Sequence, residues 1–187
     1  MNQTASSKQI RVFFALWPDA AGRNALAAWQ PELQPLCGGR AMRGEGLHAT
    51  LVFLGDVGVE RLEALQLAAQ EVSGESFELK FTVAHYWGHN HIVFAAPAQT
   101  PPALLRLVGD LERHLRKHHF HFEPRSYKPH VTLLRHTQWT DSPLPLMNSV
   151  LWRMHDFALV QSHRDEQGAS YEVLARFPLG EPGSWGG

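Results

Sequence analysis

Leu47-His48-Ala49-Thr50-Leu51-Val52-Phe53-Leu54-Gly55 and, much later, Pro129-His130-Val131-Thr132-Leu133-Leu134-Arg135 share one pattern. Each sets a His-x-Thr triplet at the head of a short apolar run with the composition of a strand. The agreement reaches upstream, because Arg43 stands five residues before His48 and Arg125 five before His130. Two related lobes, each contributing one such strand, account for the repeat.

Side chains two apart on a strand share a face, roughly 6–7 Å from each other. His48 therefore projects with Thr50, and His130 with Thr132. Facing one another across a cleft, the two strands offer two imidazoles and two hydroxyls to one small volume. Imidazole titrates near neutrality, so one ring can serve as base while the other, protonated, serves as acid. The hydroxyls can donate to phosphate oxygens. An in-line displacement at phosphorus needs a base and an acid on opposite sides, which such a pair provides without a metal. The plain alternative is two ordinary, partly buried strand segments. It suffices for one pair, whereas two pairs with matching flanks favour chemistry.

Outward from the repeats, strands and helices are mixed. IRVFFALWP before the first motif predicts a strand stopped by Pro18, and Asp19 can cap a helix running to about Trp29. The Pro- and Gly-rich stretch 31–46 predicts a loop, and Gly55 an end to the strand LHATLVFLG. Leu62, Leu65, Leu67 and Ala69 mark a second helix. FELKFTVAHYW and HIVFAAP flank a turn at Gly88-His89-Asn90, which indicates antiparallel pairing. Pro101 and Pro102 open a helix with Leu104, Leu105, Val108, Leu111 and Leu115 on its buried side. VLWRMHDFALVQSHR and SYEVLARFPL predict a closing pair of strands. The mixture points to an α+β fold, and no glycine-rich phosphate loop is present.

The 187 residues suit one domain or two small lobes sharing a core: residues 10–180, with polar tails at 1–9 and 181–187. A net charge of −1 excludes a global positive field for long nucleic-acid duplexes, leaving a local basic patch or a chain end. Cys37 is the lone cysteine, so no internal disulfide can form, and its PLCGGR setting suits a non-catalytic loop thiol. With no secretory signal and no run long enough to span a bilayer, a cytoplasmic protein without membrane contact is expected. His114, His118, His119 and His121 have spacing reminiscent of metal ligands. A solvated basic helix end ranks ahead of that idea, followed by a guide for RNA.

The chain resembles the 2H phosphoesterases, specifically the RNA 2′,3′-cyclic phosphodiesterases also called 2′-5′ RNA ligases. The likeness extends over RVFFALWP, both motifs, the approach PRSYKPHVTLLR and the closing SYEVLARFPL. It implies two pseudo-two-fold lobes of mainly antiparallel sheet, with outer helices, around a central cleft. It implies hydrolysis of RNA 2′,3′-cyclic phosphate ends to 2′-phosphates, with reversible 2′-5′ joining of tRNA halves in some members. By position His48 matches the proton donor and His130 the proton acceptor, Thr50 and Thr132 the phosphate-holding hydroxyls, and Arg135 a basic residue near the phosphate. Gly46 stands where relatives often carry asparagine.

Strict alternation sets Arg135 opposite His130, and Phe53 opposite His48, so the strand must end or twist for Arg135 to contribute. Phe14, Phe53 and Tyr127 are candidates to stack on the terminal base, although only one of Phe13 and Phe14 can face the cleft. The resulting expectation is an RNA-end hydrolase without cofactor, metal or obligate protein partner. The alternatives are a relative acting on cyclic nucleotides or 2′-5′ oligonucleotides, a non-catalytic RNA-end binder, and, remotely, a zinc protein.

Overall fold

The computed structural model describes residues 6–139 and 143–182, so the outer parts of both expected tails lie outside the described residues. The first strand, β1 (Gln9–Leu16), runs to Pro18 and to Asp19, whose carboxylate accepts from Gly22 N at 2.7 Å and caps α1 (Ala20–Ala27). The stretch whose composition predicts a loop instead holds α2 (Gln30–Cys37), β2 (Arg40–Ala41) and a 3-10 turn at Gly44–Gly46. Pro31 is tolerated in the first turn, where no intrahelical N–H bond is lost. Leu33 and Cys37, one turn apart, bury one side of α2. Burial pushes the Cys37 thiol pKa up, away from a nucleophile's requirement.

The chain continues through β3 (Ala49–Gly58), α3 (Leu62–Gln70), β4 (Phe77–Trp87), β5 (Ile92–Pro97) and α4 (Pro102–Lys117). β6 (Val131–Arg135), β7 (Val150–Met154), β8 (Asp156–Asp165) and β9 (Gly168–Pro178) complete it. Two antiparallel sheets result, in the orders β3-β1-β8-β9 and β2-β6-β5-β4-β7. Each sheet repeats one plan: a His-x-Thr strand, then the strand paired with it, then two more. The molecule is an α+β fold of two duplicated lobes around a central cleft.

Several local expectations are corrected. VLWRMHDFALVQSHR is not one strand: it divides at His155 into β7 of the second sheet and β8 of the first. His155 O accepts from Leu179 N at 2.8 Å at this crossing point. Gly55 does not end β3 but lies within it at φ 75°. Leu105 and Leu67 are exposed, and Leu107 fills the core in place of Leu105.

The largest consequence for the site comes from two matching bulges. Across β1 and β3, Phe14 opposes Val52 and Ala15 opposes Thr50, so Leu51 is an extra residue. Across β5 and β6, Val93 opposes Leu134 and Phe94 opposes Thr132, so Leu133 is the extra residue. Leu51-Val52 and Leu133-Leu134 are accordingly buried as adjacent pairs, and alternation resumes with opposite phase. Gln30 Nε2 donates to Leu133 O at 2.9 Å and to Met42 O at 2.8 Å, tying α2 to the second bulge.

One hydrophobic core joins the helices to both sheets, through Val12, Phe14 and Leu16 in one lobe and Leu79, Phe81 and Val93 in the other. A smaller cluster, Phe13, Ala15, Trp17, Ala158 and Val160, lies on the opposite face of the first sheet. Among the described residues no helix is long and apolar enough to cross a membrane.

Candidate active site

His48 and His130 line one cleft together with Thr50, Thr132 and Arg135. Each ring is anchored in the same way. His48 Nδ1 donates to Gly46 O at 2.8 Å, and His130 Nδ1 donates to Lys128 O at 3.1 Å. Each carbonyl belongs to the residue two positions earlier, so the turn entering the strand fixes the tautomer. Nε2 is left on each ring to hold or accept a proton.

The environments differ. His48 stacks on Trp17, with centroids 5.2 Å apart, and touches Phe13 at 4.9 Å and Tyr171 at 5.1 Å. His130 meets Phe94 edge-on at 5.6 Å. Loss of hydration among these atoms holds His48 down at about 4, against the Gly46 hydrogen bond, which favours its cation. The positive charges of His130 and Arg135 lower it further. One edge of the ring stays open to the cleft, so an arriving phosphate would act against that shift. Gly46 has a packing reason here, since a Cβ at that position would meet the Tyr171 ring at 3.1 Å.

The bulges bring in the residues that strict alternation had turned away. Phe53 stands in the cleft wall, 44% exposed, with the Arg11 guanidinium 4.7 Å from its ring centroid. Arg135 occupies the equivalent place in the other lobe, five residues after its histidine, and also faces the cleft. Phe14 is the correction in the opposite direction. Fully buried, it packs on Phe157 and Phe177, each at 6.1 Å, and cannot stack on a ligand. Phe13, its neighbour, faces the cleft and supports His48. Tyr127 lines the cleft but packs against the core, and burial pushes its phenol pKa up, its hydroxyl lacking a partner among the described residues.

Two arms extend from the junction. One, of about 740 Å³, is walled by Arg11, Arg40, Arg43, Arg135 and Arg164. The other is broader and aromatic, with Tyr86, Trp87, Phe94 and Phe122 beside Lys128 and Arg125. Thr50, Phe53, His130, Thr132 and Arg135 border both. Trp17, Tyr171, Arg11, Arg40 and Arg164 were not identified as site residues from sequence, because segments around β1, β2, β8 and β9, distant along the chain, bring them together. Arg11 and Trp17 leave a trace, sharing parity with Phe13.

The histidine-rich helix end has a structural task. Glu71 accepts from Lys117 Nζ at 3.0 Å, His118 Nε2 at 2.9 Å and His114 Nδ1 at 3.0 Å, which ties α3 to α4. Lys117 and His118, chiefly, hold the Glu71 pKa down at about 2. Among the described residues no group of three or more His, Cys, Asp or Glu is arranged to hold a metal ion. His89 and Asn90 lie in the β4–β5 turn, as their composition predicts.

A family profile described as LigT like Phosphoesterase matches the chain twice, over residues 16–94 and 93–169, and each copy contains one His-x-Thr motif. The RNA 2′,3′-cyclic phosphodiesterase of Escherichia coli (strain K12) is 28% identical over 173 residues, spanning 92% of this chain and 98% of that protein. The protein of the same name from Thermus thermophilus is 29% identical over 185 residues, 93% of each chain. The crystal structure of E. coli LigT complexed with 3′-AMP superposes with a TM-score of 0.83 at 28% identity, covering 92% of this chain and 99% of that one.

Proposed function

The chain belongs to the LigT-like phosphoesterase family, and we propose that it hydrolyses RNA 2′,3′-cyclic phosphate ends to 2′-phosphates by two-histidine acid–base catalysis. The relatives named RNA 2′,3′-cyclic phosphodiesterase, and the neighbour complexed with 3′-AMP, support this substrate class. The observation that carries the mechanism is the shared anchoring of His48 and His130, each through Nδ1, beside a threonine in one cleft.

In this reaction His130 Nε2 takes a proton from water as its oxygen attacks phosphorus. The bond from phosphorus to the ribose 3′ oxygen breaks, and His48 Nε2 gives that oxygen a proton. Thr50 and Thr132 donate to the non-bridging oxygens, and Arg135 opposes the charge that accumulates there. His48 is neutral in the empty cleft at pH 7, so it takes up its proton when the phosphate anion binds beside it. The aromatic wall makes that proton weakly held and readily transferred. A ribose 5′-hydroxyl in place of water would produce a 2′-5′ linkage, which is how tRNA halves would be joined. Residues 10–180 act as one catalytic unit in this scheme.

An oligoribonucleotide ending in a 2′,3′-cyclic phosphate tests the proposal. The expected product is a 2′-phosphate, formed equally well in EDTA. A 3′-phosphate product or metal-dependent turnover overturns the mechanism. A substrate with sulfur at the 3′ leaving position separates the two histidines, because a thiolate departs without an acid. Such a substrate should restore turnover to His48→Ala and not to His130→Ala; the reverse pattern exchanges their roles.

A further inference from the structure

The arginine-walled arm contains more positive charge than the reacting phosphate can balance. Of its five arginines, none forms an ion pair among the described residues, and Asp165 is the one carboxylate in the wall. Outside it, Arg106, Arg113, Arg116, Arg125, Arg153 and Arg176 each meet an Asp or Glu. Arg23 and Arg61, also outside it, donate to backbone carbonyls instead, so five of the seven arginines without an ion pair among the described residues line this one arm.

Their placement adds to the cost of leaving that arm empty. Arg40 and Arg135 are directly opposed across β2 and β6, where like charges repel. Gly39 makes this pairing possible, since a Cβ there would lie 2.3 Å from Arg135 O. From the first sheet, Arg11 is opposite Ser162, and Arg164 follows two residues later on the same face. The sheets meet where the Arg40 guanidinium lies over the bare backbone of Gly168; a Cβ at that position would be 2.8 Å from Arg40 Nη2. Arginines from both lobes thus converge on one cavity of nucleotide scale.

A cyclic phosphate diester carries a single negative charge, and Arg135 at the junction already faces it. Arg11, Arg40, Arg43 and Arg164 are left for another anion. Building on the phosphodiesterase reading above, we propose that this arm is a second phosphate subsite, which takes the 5′-phosphate of the nucleotide bearing the reacting phosphate. In an RNA end that group is the first internal phosphodiester. Charge recognition at that point selects a strand end over a free cyclic nucleoside, and paired guanidinium contacts supply the discrimination. The aromatic arm remains for the base.

Binding of two stable ligands tests this without turnover. Adenosine 2′,5′-bisphosphate should bind about tenfold or more tightly than adenosine 2′-monophosphate, the scale of a charge-assisted contact. Arg40→Ala and Arg164→Ala, one from each sheet, should each reduce that preference, while His130→Ala should retain it. Equal affinities for the two ligands, or a preference that survives both arginine replacements, overturns the subsite. If the preference holds while cyclic-phosphate RNA is not hydrolysed, the failure lies with the proposed reaction and not with the subsite.

Discussion

The lobe carrying His48 and the lobe carrying His130 repeat one strand plan, one histidine anchor and one bulge, yet they surround their rings differently. His48 is enclosed by Trp17, Phe13 and Tyr171, whereas His130 has Phe94 at its edge. Five residues beyond each histidine the same phase-shifted position holds Phe53 in one lobe and Arg135 in the other. Five residues before, Arg43 has no ion pair among the described residues while Arg125 meets Glu123. Duplication provides two equivalently anchored imidazoles in one cleft. Divergence of their neighbours then lets one lobe handle charge where the other handles apolar surface.

Removing the shared part should have the largest effect. His48→Ala and His130→Ala should each lower kcat on a cyclic-phosphate oligonucleotide by about 10²–10⁴-fold, with unchanged circular dichroism. Because the two act as a unit, the double variant should be little worse than either single one. Substantial activity in either single variant would break the pairing. Next comes the divergent position. Arg135→Ala should reduce kcat/KM by roughly 10–100-fold, as expected for a lost charged hydrogen bond, and Phe53→Ala by clearly less. Equal losses would mean that the two positions have not specialised.

Smaller effects should separate the lobes by stability and by pH. Gln30→Leu removes a side-chain donor from Leu133 O and Met42 O, and should cost about 1–3 kcal/mol in urea unfolding. The loss should fall on the His130 lobe, read as faster amide exchange in β6 than in β3. His48 has a folded pKa of about 4, below its ordinary value of 6.5. The unfolded chain therefore binds a proton that the folded chain declines, and stability should fall as pH drops from about 6.5 to 4. Trp17→Leu should admit water beside the ring, raise the His48 pKa in an NMR titration and flatten that decline. An unchanged titration would show that the aromatic wall does not set the pKa.

Much of the architecture could be inferred from local pattern. β1, β4, β5, α4 and both motif strands follow from composition and periodicity, and the Gly88-His89-Asn90 turn indicates antiparallel pairing. What escaped depends on contacts between distant segments. The apolar run through Trp152 and Phe157 looks continuous, because nothing local shows that the chain changes sheet at His155. Parity assigned Phe53 and Arg135 to the wrong face, since it assumes an unbroken pleat. A signal was present in the adjacent apolar pairs Leu51-Val52 and Leu133-Leu134, both directly after the motif threonine. A doublet that interrupts alternation at the same place in two repeats is what a conserved bulge looks like in sequence. The arginine arm left no such mark, because Arg11, Arg40, Arg43 and Arg164 are brought together only by the sheets and the 3-10 turn.

The bulges also separate a residue's place in the sequence from the face it takes. Up to Thr50 and Thr132 the cleft residues fall on one parity, and beyond the bulge they fall on the other. Deleting Leu51 alone would remove the extra residue and restore regular pairing, with Thr50 opposite Ala15, Val52 opposite Phe14 and Phe53 still opposite Phe13 on the cleft face. Deleting Leu133 alone would likewise keep Leu134 opposite Val93 and Arg135 opposite Ile92. A single-residue gap at either site should therefore leave the order of faces intact and cost mainly the buried contacts of the lost leucine.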